Sequence, residues 1–304
     1  MPALSPLPES LRDTPFSVED ARELGVPVKR LRALDLVAPF RAVRSGELNW
    51  EDVDQVCRTY SVCLAPNQLF SHVTAARLYG IPLPYRLEQR REIDIWAPDF
   101  QVRAVGVIGH RSTPLERKFV RGLPVVSPAR AWIQLGPLLD HVSLVAAGDD
   151  LVRRKQPLSS LAALKSEIEA SRGVRGIRRL RAAYADVRAG TDSPMETRLR
   201  LLLVRAGLPE PMIGYAIHTR AGSFVGTPDL AYVRERIAIE YEGELHQSDP
   251  ARFAADIERR ERMEAAEWHV IRVIKNHLNR NPTKLVDRVR RQLRERANSP
   301  SNVQ

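Results

Sequence analysis

The sequence predicts an α+β protein, grading into α/β, built as several units in succession. Three observations predict it. The chain is too long for one typical core, helical periods alternate with short β-like runs through its middle, and three strand-like runs follow one another near the C-terminus between helical stretches. Boundaries fall at residues 1–60, 61–165, 166–192 and 193–298, with 299–304 expected as a disordered tail.

The 43% hydrophobic and 28% charged fractions exclude wholesale disorder. Lys and Arg number 47 against 37 Asp and Glu, a net charge of +10 that favours a polyanionic partner, with DNA first. A codon bias toward arginine and alanine explains part of the same excess, so charge alone leaves the partner open. Cys57 and Cys63 have neither disulfide-framework nor zinc-knuckle spacing and are expected as core thiols in a reducing interior. The start, MPALSPLPESLRDTPF, lacks the basic segment and apolar run of a signal peptide, and no later stretch stays apolar long enough to span a bilayer. A cytoplasmic protein with no membrane partner is expected.

In the first 60 residues, Ser17 is placed to cap a helix over 18–24, Gly25 to end it and Pro27 to open a second helix carrying Lys29, Arg30 and Arg32. LVAPFRAV then alternates up to Ser45-Gly46, as a strand and turn would. Two alternatives stand: a small winged-helix DNA-binding unit, or a helical pair that packs on its neighbour.

From Leu69 to Tyr79 apolar residues recur at helical spacing; EIDIWAP, VGVIGH and LPVVS read as strands, and ARAWIQLGPLL as a helix. His72, Arg90, Arg91, His110 and Arg111 fall in this middle α/β unit without ligand or triad spacing, so no chemistry is assigned to them. Between Glu169 and Asp186 no acidic residue occurs, while Arg172, Arg175, Arg178, Arg179 and Arg181 recur at helical intervals. Such a run is either a solvated linker helix or a phosphate-contacting one, with Arg172, Arg175 and Arg179 as the candidates.

Ser193-Pro194 opens a helix running to Gly207, with Glu196 in its first turn and Leu199, Leu202 and Leu203 as the buried stripe. YAIHTR, FVGTPDLAYV and IAIEYEG follow as a three-strand meander. Side chains alternate along a strand, so Glu240 and Glu242 share one face, opposite Ile239 and Tyr241, while Asp229 lies on the paired strand. Acids gathered at a strand end repel one another unless protonated or neutralised, which a hard divalent cation such as Mg²⁺ or Mn²⁺ would do. Glu196 fits two roles there, complement to its helix N-terminus or support for the metal. Arg259 and Arg260 either pair with the acids or clamp a phosphate.

TPDLAY followed by IAIEYEGELH resembles the Pro-Asp then Glu-x-Lys pattern of restriction-endonuclease-like nucleases, especially relatives of very-short-patch-repair endonucleases. In the bacterial family it is most similar to, a helix Glu, the Pro-Asp acid, an acid-x-acid-Gly segment and a His recur in this order, on which Glu196, Asp229, Glu240, Glu242, Gly243 and His246 fall. The likeness extends over DIERRERMEAAEWHVIRV, where Asp256, Arg260, Trp268 and Arg272 match. It implies a short mixed sheet flanked by helices over residues 193–298, with Asp229, Glu240 and Glu242 as catalytic metal ligands. The start and middle of the chain resemble winged-helix antitoxins of abortive-infection systems.

One departure bears on mechanism. Glu242 stands where many members of the superfamily place a lysine, and a carboxylate cannot act as a cationic stabiliser. His246 is the substitute for proton transfer, ahead of Lys275. The expected function is metal-dependent cleavage of DNA directed by the N-terminal unit. The alternative is a non-catalytic DNA-binding regulator with a degenerate nuclease domain, and an RNA-processing role is a third.

Overall fold

Pro228 has no backbone N–H to give to a sheet, and it divides the longest strand-like run of the sequence into two strands that belong to different sheets. This and the rest of the architecture come from a computed structural model that describes residues 5–98, 102–112, 115–243 and 250–298. The protein is α+β, with helices and several mixed or antiparallel sheets. It divides into two compact units that interleave along the chain: Met1–Leu139 with Lys165–Leu180, and Asp140–Leu164 with Arg181–Gln304. The expected tail at 299–304 and His246 lie outside the described residues.

The first unit opens with β1 (Phe16–Ser17) and α1 (Val18–Glu23), whose cap is Ser17, its hydroxyl accepting the Asp20 N–H at 2.9 Å. Gly25 follows in the left-handed region, as expected of a helix stop. The expected second helix shrinks to one 3₁₀ turn, Arg30–Arg32, because the chain leaves helical geometry at Ala33. Arg30 is 8% exposed; its guanidinium turns inward to Asp35 and the Ser5 carbonyl. The expected wing strand is short: β2 (Val43–Arg44) pairs antiparallel with β1, and Val37 and Ser45 form a bridge. In α2 (Val53–Ser61), capped by Asp52, Cys57 is buried, but Cys63 beyond it is exposed and is not a core thiol.

The main sheet of this unit uses β3 (Leu69–Phe70), β4 (Ile93–Ala97), β5 (Arg103–Ala104), β6 (Val107–Arg111), β7 (Arg117–Val120) and β8 (Leu123–Val126), in the order β5-β6-β4-β3-β8-β7. Pairs β4/β6 and β3/β8 are parallel and the others antiparallel. Between β3 and β4 lie α3 (His72–Tyr79) and α4 (Tyr85–Glu88), and α5 (Pro128–Leu135) follows β8. Trp132 on α5 is fully buried.

α6 (His141–Leu151) begins the second unit; α7 (Leu161–Ala170) and α8 (Ile177–Asp186) follow in the chain, with Lys165–Leu180 counted in the first unit. The arginine run expected on one helix is broken between them, since Gly173 and Gly176 both take positive φ and stop regular hydrogen bonding. Arg172 and Arg175 lie in that turn, exposed, whereas Arg179 on α8 donates to the Leu139 carbonyl at 2.8 Å.

α9 (Pro194–Arg205) is capped by Ser193, whose hydroxyl accepts the Glu196 N–H at 3.2 Å. Ser193→Ala is expected to cost about 1 kcal/mol of stability, read as a lowered urea midpoint. The buried leucines of α9 are Leu199, Leu201 and Leu203, with Leu202 only partly covered. Its other buried positions are polar. Arg200 meets Asp149 of α6 at 3.0 Å, the two side chains being 1% and 0% exposed, and Thr197 donates to the same carboxylate at 2.8 Å.

β9 (Met212–Ile213), β10 (Ile217–His218), β11 (Phe224–Gly226), β12 (Leu230–Tyr232) and β13 (Ile237–Glu242) follow, then α10 (Pro250–Ala265), β14 (His269–Ile274), α11 (Lys275–Asn279) and α12 (Pro282–Ala297). The meander expected from three runs is two structures: a β10-β11 hairpin, and a mixed sheet in the order β14-β13-β12-β9. β13 and β14 run parallel across the α10 connection, while β12 is antiparallel to both β13 and β9. One face of the sheet, with Leu230, Ile237, Ile239, Ile271 and Val273, packs with leucines of α9 and with Leu285, Val286 and Val289 of α12. Ala231 and Ala238 point the other way, into a core with Met263 of α10 and Trp268. Among the described residues no helix is long and apolar enough to cross a membrane.

Candidate functional site

The alternation of β13 decides which acids can meet. Ile237 and Ile239 enter the α9/α12 core, so Glu240 and Glu242 face the side covered by α10. The β12/β13 register pairs Leu230 with Ile239; Asp229, one residue before β12, therefore comes beside Glu240 at the end of the ladder. Its Oδ2 accepts the Tyr241 N–H at 2.7 Å, which fixes the carboxyl against β13. Glu196 reaches the same neighbourhood from α9. It is 6% exposed, and its Oε2 accepts the Asp192 N–H at 2.9 Å, so it also serves its helix N-terminus.

Burial, and next the charge of Glu196, push the Asp229 carboxyl up to about 7, despite the Tyr241 N–H and Arg259. Burial likewise raises Glu196 above the usual carboxylate range. Asp192, which the sequence did not single out, adds its negative charge to both.

Arginines on α10 and β14 take the other two acids. Arg259 lies 2.8 Å from Glu240 Oε1, and Arg260 lies 3.0 Å from Glu242 Oε1. Arg272, the register partner of Glu240 on β14, grips both oxygens of Glu242. Gly226 makes the approach of α10 possible: a Cβ there would stand 2.7 Å from Met263 Cε and 3.2 Å from Arg259 Cγ. Of the two roles open for Arg259 and Arg260, the structure places both in ion pairs.

The three acids expected to converge on a metal are thus placed unequally. Asp229 and Glu240 stand opposite each other in register, and two guanidiniums pair with Glu242; among the described residues no three of Glu196, Asp229, Glu240 and Glu242 bring ligand atoms within 4.8 Å of one another. An open groove of this unit, lined by Tyr215, His218, Phe224, Arg236 and Trp268, contains none of them. Of the N-terminal basic candidates, Lys29 and Arg32 are exposed and Arg30 is tied down by Asp35.

The group that does meet within 4.8 Å lies in the first unit: His72, Asp94 and His110. The adjacency of β3, β4 and β6 assembles it, with His72 just after β3. Asp94 is 1% exposed; its Oδ1 meets His110 Nε2 at 2.8 Å, and its Oδ2 accepts from Arg90 and the Thr74 N–H. The His72 and His110 rings stack at 3.5 Å with a 15° tilt. Burial, with His110 as the next cause, pushes His72 down to about 3. No short spacing announces this cluster, since its members come from three elements. The informative signal was a lone acid inside an otherwise apolar strand, IDIWA, an unusual place for an unpartnered charge.

No protein-family model matches the chain, and no solved structure matches it. Proteins similar to it include Uncharacterized protein MT2308 of Mycobacterium tuberculosis (strain CDC 1551 / Oshkosh) and Uncharacterized protein Rv2248 of Mycobacterium tuberculosis (strain ATCC 25618 / H37Rv). Each is 30% identical over 227 residues, spanning 72% of this chain and 79% of the relative.

Proposed function

We propose, from the premise that this chain belongs to the family of the mycobacterial proteins MT2308 and Rv2248, that it is a metal-dependent DNA endonuclease cutting with its second unit. The observation that carries the proposal is the register that sets Asp229 opposite Glu240 at the end of two adjoining strands, with burial, and next the charge of Glu196, pushing Asp229 up to about 7. Acids so placed repel, and a hard cation would relieve the repulsion.

The donor set of Asp229 and Glu240, supported by Glu196, fits Mg²⁺ or Mn²⁺ in chemistry, since all offer carboxylate oxygens. Glu242 does not fit, because Arg260 and Arg272 already neutralise it. When bound, such an ion supplies polarisation of the phosphodiester and a more acidic water. The chain supplies the rest. The Tyr241 N–H orients Asp229, and Arg259, 32% exposed, is placed to exchange Glu240 for a phosphate oxygen. Lys29 and Arg32, with Arg172 and Arg175, are the exposed basic candidates for holding DNA.

A second reading, the DNA-binding regulator, is favoured by one observation: guanidiniums already pair Glu240 and Glu242. Incubating supercoiled and linear DNA with the purified protein and Mg²⁺ or Mn²⁺ separates the two. Cutting that needs metal and disappears in Asp229→Ala and Glu240→Ala is the expected result. Metal-independent DNA binding with no cutting by any form would overturn the nuclease and favour the regulator.

A further inference from the structure

The first unit carries a cluster that the nuclease proposal does not use. His72 opens α3, Asp94 lies in β4 and His110 in β6, and one ligand atom from each lies within 4.8 Å of the others. Donors about 2.1 Å from a tetrahedral cation stand roughly 3.4 Å apart, so a modest closure of this group suffices to hold one.

We propose that His72, Asp94 and His110 form a binding site for a late first-row divalent cation, with Zn²⁺ as the reference ion and a fourth position left for water. Two imidazoles and one carboxylate suit zinc, cobalt or nickel better than magnesium, which prefers oxygen alone. The surroundings have the character of an outer shell. Thr74 and Arg90 take Asp94 Oδ2 while Oδ1 faces His110. Ser71 Oγ meets His72 Nδ1 at 3.0 Å, and Gln134 Oε1 accepts the His72 N–H at 2.8 Å.

His72 is held at φ +48°, in the left-handed region that is uncommon for non-glycine residues, although histidine, like asparagine and aspartate, enters it more readily than most. A simple His110–Asp94 hydrogen bond explains two of the three residues and leaves the stacked His72 without a purpose. Arg90 opposes a cation by its charge, but it sits on the oxygen turned away from His110. The His110 side chain is 26% exposed, which gives an ion a route from solvent.

The test uses the full-length chain carrying Asp229→Asn, so that the acidic centre does not contribute and the outcome is independent of the nuclease proposal. After chelator treatment it is titrated with Zn²⁺ by calorimetry and with Co²⁺ by visible absorption. The expected result is one ion per chain, Co²⁺ bands of a nitrogen-ligated site, and a melting temperature raised by Zn²⁺. His72→Gln and His110→Gln, each compared with its own metal-free melting temperature, should weaken Zn²⁺ binding by about 100-fold or more, since loss of an outer-shell partner alone costs up to that much. Absence of stoichiometric binding in the parent, or an affinity in either variant equal to that of the parent, would overturn the site.

Discussion

Asp149→Ala should destabilise the second unit by about 3–5 kcal/mol, a large part of the stability of an ordinary domain. The change removes an acceptor from three donors at once: Arg200, the Thr197 hydroxyl and the Arg188 N–H at 2.7 Å. Arg200 is left as a charge only 1% exposed, with the Asp186 carbonyl and Glu210 as its remaining partners. Burial raises Asp149 above the usual carboxylate range even with Arg200 beside it, so desolvation outweighs the attraction. The pair is therefore costly to form and costlier to break. Asp149→Leu combined with Arg200→Met should recover most of the loss in urea unfolding. A single-variant loss below about 1 kcal/mol would mean that Arg200 reaches solvent, contrary to its burial.

Asp229→Asn should do the opposite to stability while removing the proposed activity. The folded carboxyl lies near 7 rather than near 4, so its favourable contribution is present below the unfolded value and is lost as pH rises through about 7. At pH 8 the wild type carries a buried charge that asparagine lacks, and the Asn Oδ1 can still accept the Tyr241 N–H. The variant should be more stable at pH 8 by on the order of 2–4 kcal/mol, and nearly equal to the wild type at pH 4. Mg²⁺ should narrow the gap at pH 8 by stabilising the wild type alone. Equal urea midpoints at both pH values would contradict the burial of the Asp229 carboxyl and, next to it, the charge of Glu196.

What could be read in the sequence was what depends on neighbours along the chain. Ser193-Pro194 announces α9, Ser17 announces α1, and two-residue alternation puts Glu240 and Glu242 on one face. Each rests on a capping hydroxyl or a strand period, which act over a few residues. The meander was half legible. Alternation runs on through Thr227-Pro228-Asp229, and only the missing N–H of Pro228 shows where pairing must change partner.

The acidic centre was legible in its members and not in its charge balance. Arg272 meets Glu242 because β14 lies parallel to β13 across α10, and a strand order of that kind has no local trace. The His72–Asp94–His110 cluster fails to appear in the sequence for the same reason: three separate elements carry it, and their adjacency is a property of the sheet. Arg30 shows the converse limit. Its place in a basic run suggests a solvent-facing contact, yet the nearby Asp35 turns it inward.

Interleaving of the two units has a consequence for synthesis on the ribosome. α6 belongs to the second unit but emerges before residues 165–180, which complete the first. Asp149 must therefore wait, with its charge still hydrated, until Thr197 and Arg200 have been made. Neither unit can finish folding before the chain has begun the other, and a polypeptide started at residue 193 would carry Arg200 into its core with the intended counter-charge never synthesised.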